Sequence, residues 1–363
     1  MIISGKDLLS SVIPYVHILS SSFNGTYCSQ CFQCSNDVKR CSKCNRIAYC
    51  SIGCQRKDWI YHKHECEYFD DLDEEFDLIR LYLRFILRYE NDRGIENSST
   101  KRTVDDLFSH EKEIRQDRRR ARTFQSIDRW FKKSNFNSKL DETKLFDLFC
   151  RLVINTLTIH DPIDLKPIGY GLYLDGTIYN HSCMPTCHTV FNGIYLSVRT
   201  IIDHSNDQST INYVDLLENR EIRQKNLFEN YYFHCQCARC SNLNSQENIL
   251  LEKIHHEEQK MDQLIDEKNF SKAYQTSQQL CDDYELILPV YHAYVSLHHV
   301  KHLKLALFLA ETIDSATLET MMNVARRRLK ISMGDQHPLT QETVQLCEQY
   351  RLELTFQQRQ LMG

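Results

Sequence analysis

Apolar positions set the first map of this chain. Leu78, Leu81, Tyr82, Phe85, Ile86 and Tyr89 recur at steps of three and four, which predicts a helix from Asp71 to Tyr89 with one apolar face. Residues 91–101 are polar and predict a loop. A second helical stretch is expected from Val104 to Lys133, carrying the basic run Arg118 to Arg122, which reads as a solvated helix face. A third, strongly apolar helix is expected from Leu140 to Thr158. Residues 1–27 hold short apolar stretches around Pro14 and predict strands. Between Asp161 and Asp215 the pattern changes to Gly, Pro, Asn and alternation, as in Tyr195-Leu196-Ser197-Val198 and Thr210-Ile211-Asn212-Tyr213, which predicts short strands and turns.

Helical periodicity returns from Asn244, with Ile249, Leu250, Ile254, Met261, Leu264 and Ile265 marking one helix. Further helices are expected over Phe270–Leu288, Tyr291–Ala310, Thr317–Met333 and Pro338–Leu354. Paired helices of these lengths suit a tetratricopeptide-like array or an ordinary bundle.

The 363 residues suffice for two or three packed domains. A formal net charge of −5 argues against a general nucleic-acid binder, so no specific nucleic-acid binding is expected. Neither a signal peptide nor a membrane span is expected. Cysteine changes the picture most: eight of the 16 lie between Cys28 and Cys66. In a chain without a secretory leader, such density points to metal ligation in a reducing compartment. The expected location is therefore cytoplasmic and nuclear.

The spacing Cys28-x2-Cys31-x9-Cys41-x2-Cys44-x5-Cys50-x3-Cys54-x7-His62-x3-Cys66 provides eight ligands, enough for two tetrahedral zinc sites. So short a segment buries too little apolar surface to fold alone, and metal binding would supply the missing free energy. Cys34 and His64 compete as ligands on spacing alone. A second cluster, Cys235-x-Cys237-x2-Cys240, follows Asn230-Tyr231-Tyr232-Phe233-His234. Upstream stand Gly169-Tyr170-Gly171-Leu172-Tyr173, Asn180-His181-Ser182-Cys183 with Pro185, and Ile211-Asn212-Tyr213. Taken singly these have plain readings: Asn155 and Asn180 as turn or cap residues, Tyr213 as core, His110 as surface.

In this order, together with Tyr49, Gln55 and Trp59 around the first cluster, the motifs resemble the SET-and-MYND (SMYD) family of protein lysine methyltransferases. The resemblance implies an α+β multidomain fold. A β-rich SET core is interrupted by a MYND zinc finger and a helical insert, and an α-helical, tetratricopeptide-like C-terminal domain comes after it. It divides the chain into residues 1–27 (N-terminal SET part), 28–66 (MYND finger), 67–150 (insert), 151–225 (SET core), 226–243 (post-SET zinc segment) and 244–363.

It also implies three zinc ions: Cys28, Cys31, Cys50 and Cys54 on one; Cys41, Cys44, His62 and Cys66 on another; Cys183, Cys235, Cys237 and Cys240 on the third. S-adenosylmethionine would be contacted by Asn180, His181, His110, Asn155, Tyr231 and Phe233, with Tyr213 as the catalytic residue. Implied partners are a lysine-bearing protein substrate, histone or otherwise, and proline-containing peptides docked on the finger; the expected state is a monomer.

Three departures stand out. Gly5-Lys6-Asp7-Leu8-Leu9 matches the segment just after the family's first Gly-Arg-Gly-type turn, so a truncated start and one missing pocket wall are expected. Asp203-His204-Ser205-Asn206-Asp207 replaces a Gly-Glu turn, with Asn206 able to take positive φ. Leu157 replaces an aromatic and would widen the lysine channel. A second reading of the same motifs is a SET-derived scaffold that binds partners without catalysis.

Overall fold

The computed structural model describes residues 1–35, 37–68, 76–91, 100–134, 136–205, 208–242 and 246–362. Small sheets form a β-rich core. β1 (Asp7–Val12) pairs antiparallel with β9 (Tyr195–Thr200), which forms a hairpin with β8 (Cys187–Asn192). Gly193 turns that hairpin at φ 59°, and a Cβ there would lie 2.3 Å from the Cys31 carbonyl oxygen. Only glycine permits both the left-handed turn and this approach of the finger.

A second antiparallel sheet runs β2 (Val16–Leu19), β6 (Pro167–Leu172), β5 (Thr156–His160). Two short strands, β7 (Asn180–His181) and β10 (Thr210–Ile211), pair in parallel, Asn180 opposite Thr210 and His181 opposite Ile211. Tyr213 is thereby brought beside Asn180 although 33 residues separate them in sequence.

The finger contains β3 (Lys39–Arg40), β4 (Ala48–Tyr49) and α1 (Ile52–His62). Helix α2 (Phe76–Asn91) comes next and buries Ile79, Leu81, Tyr82, Leu83, Phe85 and Ile86, as its periodicity predicts. Residues 71–75, expected to begin it, lie outside the described residues, as does Asn206. Each fully buried aliphatic or aromatic side chain contributes roughly 1.5–3 kcal/mol, so this face fixes α2 on the core.

Two expectations need correction. The stretch Val104–Lys133 is not one helix. After a 3-10 turn at Val104–Asp106 it forms α3 (Glu111–Gln116) and α4 (Arg118–Lys133). His110 is left-handed, and the extended Asp117 caps α4, accepting from the Arg119 and Arg120 amides at 2.8 and 3.2 Å. A side-chain cap competes with helix continuation and here wins. Likewise the apolar run Leu140–Thr158 divides at Asn155 into α5 (Glu142–Asn155) and β5. Thr156, Thr158 and Ile159 are β-branched and pair with β6, so sheet pairing overrides helical periodicity.

Beyond the core come α6 (Arg220–Tyr231) and α7 (Ala238–Ser241). The helical C-terminal region is α8 (Gln246–Asp266), α9 (Phe270–Ile287), α10 (Ala293–Phe308), α11 (Ser315–Ser332) and α12 (Pro338–Met362). Successive helices pack on one another, as an array of helical hairpins does. The last one continues beyond its expected end at Leu354.

Candidate active site and metal centres

Twelve side chains gather into three four-ligand clusters. Cys28, Cys31, Cys50 and Cys54 form one; Cys41, Cys44, His62 and Cys66 the second; Cys183, Cys235, Cys237 and Cys240 the third, with ligand atoms within 4.8 Å of one another in each. Separations are 3.7 Å for Cys31–Cys50, 3.6 Å for Cys50–Cys54, 3.9 Å for Cys41–Cys66 and 3.4 Å for Cys183–Cys240. Sulfurs about 2.3 Å from a tetrahedral zinc stand about 3.8 Å apart, so the clusters fit that ion and not disulfides. Cys34 and His64 belong to none of them.

Crowding shows in the thiols. A hydrogen bond from Cys31 pulls the Cys28 thiol down to about 5, and one from Cys183 pulls Cys237 down to about 3. Thiols that share a proton in this way are ready to release it to a cation.

Behind the finger lies a charged cluster that sequence reasoning missed. Glu65 stands 3.5 Å from His62 Nδ1, and both are fully buried. Arg84 donates to Asp58 at 2.8 Å and to Glu65; Arg80 Nε donates to Glu65 at 3.3 Å. Tyr49 donates to Asp58 at 2.7 Å. Burial works against the Glu65 carboxylate, but Arg80 and Arg84 hold its pKa well below the ordinary value. The cluster Asp58, His62, Glu65 reads as carboxylates orienting a ligand rather than a further metal site. The signal was available in the sequence: Arg80 and Arg84 sit four apart on an otherwise apolar helix.

A cavity of about 230 Å³ opens beside the third cluster. It is lined by Phe108 and His110, Ile154 to Leu157, Gly176, Thr177, Asn180, Ile211, Tyr213, Tyr231 and Phe233. Six of the seven residues expected there, His110, Asn155, Asn180, Tyr213, Tyr231 and Phe233, reach it from separate segments of chain. His181 does not line it; its Nδ1 accepts the Tyr213 amide at 3.0 Å and its ring lies 5.4 Å from that of Tyr213. Burial lowers the His181 pKa to about 4, leaving a neutral ring that can accept. Asn155 donates to the Phe108 carbonyl at 2.8 Å, holding the segment that carries His110.

The Tyr213 hydroxyl donates to the Tyr179 carbonyl at 2.5 Å, and its ring meets that of Tyr231 at 4.9 Å. Burial, reinforced by Tyr231, pushes its phenol up to about 12, so it stays protonated near neutral pH. The lining contains no Asp, Glu, Lys or Arg. An uncharged pocket walled by aromatic faces suits a cation that carries its own charge, and disfavours protonation of an incoming amine.

A protein combining a MYND-type finger, a third cysteine cluster and this aromatic pocket has a defined set of relatives. Residues 28–66 match the MYND finger family. The chain is 30% identical over 253 residues to histone-lysine N-methyltransferase SMYD3 of Mus musculus, covering 67% of this chain and 58% of that protein. It is 30% identical to histone-lysine N-methyltransferase ASHR1 of Arabidopsis thaliana over 67% of this chain and 52% of that protein. It is 27% identical to N-lysine methyltransferase SMYD2-A of Xenopus laevis over 65% and 55%. The chain belongs to the SET-and-MYND (SMYD) family. It spans a little over half the length of these relatives.

Proposed function

We propose that the protein is an S-adenosylmethionine-dependent protein-lysine N-methyltransferase. The observation that carries the reading is the cavity itself, where Asn180, Tyr213, Tyr231 and Phe233 converge beside a closed cysteine cluster. In this reading residues 1–27 and 151–225 form a SET core, 226–243 its zinc-bound closing segment, and 67–150 the insert that supplies His110. Zinc fills the three clusters. With four protein ligands each, the ions are structural and leave no open position for chemistry.

The residues present fit the methyl donor. Asn180, whose side chain has no hydrogen-bond partner among the described residues, offers an amide to its polar groups. Phe233 and Tyr231 offer ring faces to its cationic part, and Asn155 fixes the segment that brings His110 to it. Bound there, S-adenosylmethionine supplies a methyl group on a sulfonium. Tyr213 orients the acceptor amine through a hydroxyl held by the Tyr179 carbonyl. The apolar wall keeps that amine neutral by lowering its pKa from about 10.4. Alignment of donor and acceptor then removes several kcal/mol of the barrier.

The acceptor is a lysine on a histone or another protein. Trp59 and Ile60, exposed on the finger, support docking of proline-containing peptides there. No helix among the described residues is long and apolar enough to cross a membrane; we infer action in cytoplasm and nucleus as a monomer. Radiolabelled methyl transfer to histones and to a cell-extract panel tests the reading, with Tyr213→Phe and Asn180→Ala as controls. Both are expected to lose at least about tenfold in kcat/KM with zinc content unchanged. No transfer together with no binding of S-adenosylhomocysteine would leave the scaffold reading in its place.

A further inference from the structure

Two non-glycine residues in the left-handed region face each other at the cavity mouth. His110 has φ 48° and ψ 35°, and Tyr232 has φ 60° and ψ 33°. Their rings lie 5.6 Å apart. Tyr232 ends α6 at the position where glycine is the favoured helix stop. A tyrosine held there against its backbone preference marks a site where surrounding contacts dictate the conformation.

Those contacts all come from the insert. The Tyr232 hydroxyl donates to Asp117 Oδ2 at 3.1 Å, while Asp117 Oδ1 caps α4. Arg119 donates to the Glu229 carbonyl at 2.9 Å and to Asn230 Oδ1 at 3.2 Å, and Arg120 reaches Asn230 at 3.4 Å. Two consecutive cations thus meet the C-terminal turn of α6, where its dipole is negative. The residue on one side of Tyr232 is Tyr231 and on the other Phe233, and both wall the cavity.

We infer that Asp117 and Tyr232 are positioning residues: they latch the insert to the end of α6 and so hold Tyr231, Phe233 and His110 around the bound methyl donor. The inference rests on the methyltransferase reading for the ligand, and on geometry alone for the latch. It separates Tyr232 from an ordinary helix cap. A cap would be improved by Tyr232→Gly, which removes the left-handed penalty. A positioning residue would lose ligand affinity in that same variant.

The test uses the full zinc-loaded chain and S-adenosylhomocysteine as probe in titration calorimetry. Tyr232→Gly is expected to raise Kd about tenfold while Tm stays equal or rises. Tyr232→Phe keeps the ring against His110 and loses the hydroxyl, giving a smaller rise. Asp117→Ser keeps the α4 cap but is too short to reach Tyr232, and should match Tyr232→Phe. Unchanged Kd in Tyr232→Gly, or a Tm that falls together with affinity, overturns the positioning role. Hydrogen exchange over residues 229–233 in ligand-free protein reads the latch separately. It should quicken in Asp117→Ser, and unchanged exchange overturns the latch. A wild-type chain that binds no probe but shows the quickened exchange refutes the methyltransferase reading and leaves the latch standing.

Discussion

Arg84 is where the finger meets the rest of the molecule. Its guanidinium is 2% exposed and bonds to Asp58 and Glu65 of the finger as well as to the His17 carbonyl of β2. Removing one member of a buried ionic cluster leaves its partners charged and unpaired, which costs more than the pair itself contributes. Arg84→Ala is therefore expected to lower stability by about 3–5 kcal/mol, measured by denaturant unfolding at saturating zinc. Replacing Arg84, Asp58 and Glu65 together by apolar residues of similar size should cost much less. Equal losses in the single and triple variants would show that packing, not unpaired charge, sets the effect. At this scale the sequence was legible where chemistry has a spacing: all twelve thiolate and imidazole ligands come together. It was silent on Asp58 and Glu65, because a carboxylate that turns a histidine needs proximity in space and has no fixed offset in the chain.

Elements were legible where periodicity ran without competition, as in α2 and in α8 to α12. They were misread where a cap or a sheet partner intervened. Asp117 splits α3 from α4, and pairing with β6 converts the end of an apolar helix pattern into β5. Both misreadings flank the cavity, since the ends of α5 and the start of α4 are where the chain turns toward it. The third cysteine cluster acts at this scale too. Cys183 lies two residues past the end of β7, whereas Cys235, Cys237 and Cys240 lie around α7. One ion there would tie the strand bearing Asn180 to the segment bearing Phe233. Cys183→Ser should remove one of three zinc ions, read by elemental mass spectrometry. It should also weaken S-adenosylhomocysteine binding about tenfold or more, because the wall loses its anchor. Retention of three ions per chain would exclude Cys183 from the ligand set.

At the scale of the whole molecule, the helical C-terminal region is held to the β-rich core by a polar seam. Arg199 of β9 donates to the Ile331 and Lys330 carbonyls at 2.8 and 2.9 Å, satisfying the end of α11. His188 of β8 bonds the Ser332 carbonyl at 2.7 Å through Nε2 and accepts the Ala293 amide at 3.2 Å through Nδ1. His337, before α12, reaches the Phe191 carbonyl at 3.1 Å. One ring nitrogen of His188 must donate and the other accept, so the seam requires the neutral form. Burial lowers the pKa of His188 and His337 to about 4 and that of His292, packed against His188, to about 3. Nearby Arg199 pushes His188 and His337 in the same direction, and Asp161 opposes it at His337.

In the unfolded chain these histidines titrate near about 6.5, so below that pH the unfolded state binds more protons than the folded one. Stability is therefore complete above about 6.5 and is lost as pH falls toward about 4, at roughly 1.4 kcal/mol per pH unit for each such histidine. Zinc release acts in the same direction, so the measurement compares variants at equal zinc occupancy. His188→Gln retains a donor and an acceptor at nearly the same reach and cannot be protonated. Its denaturation midpoint should fall less between pH 6.5 and 5 than that of the wild type, whatever its value at pH 7. Parallel pH profiles would place the acid sensitivity in the metal clusters and leave the seam indifferent to protons.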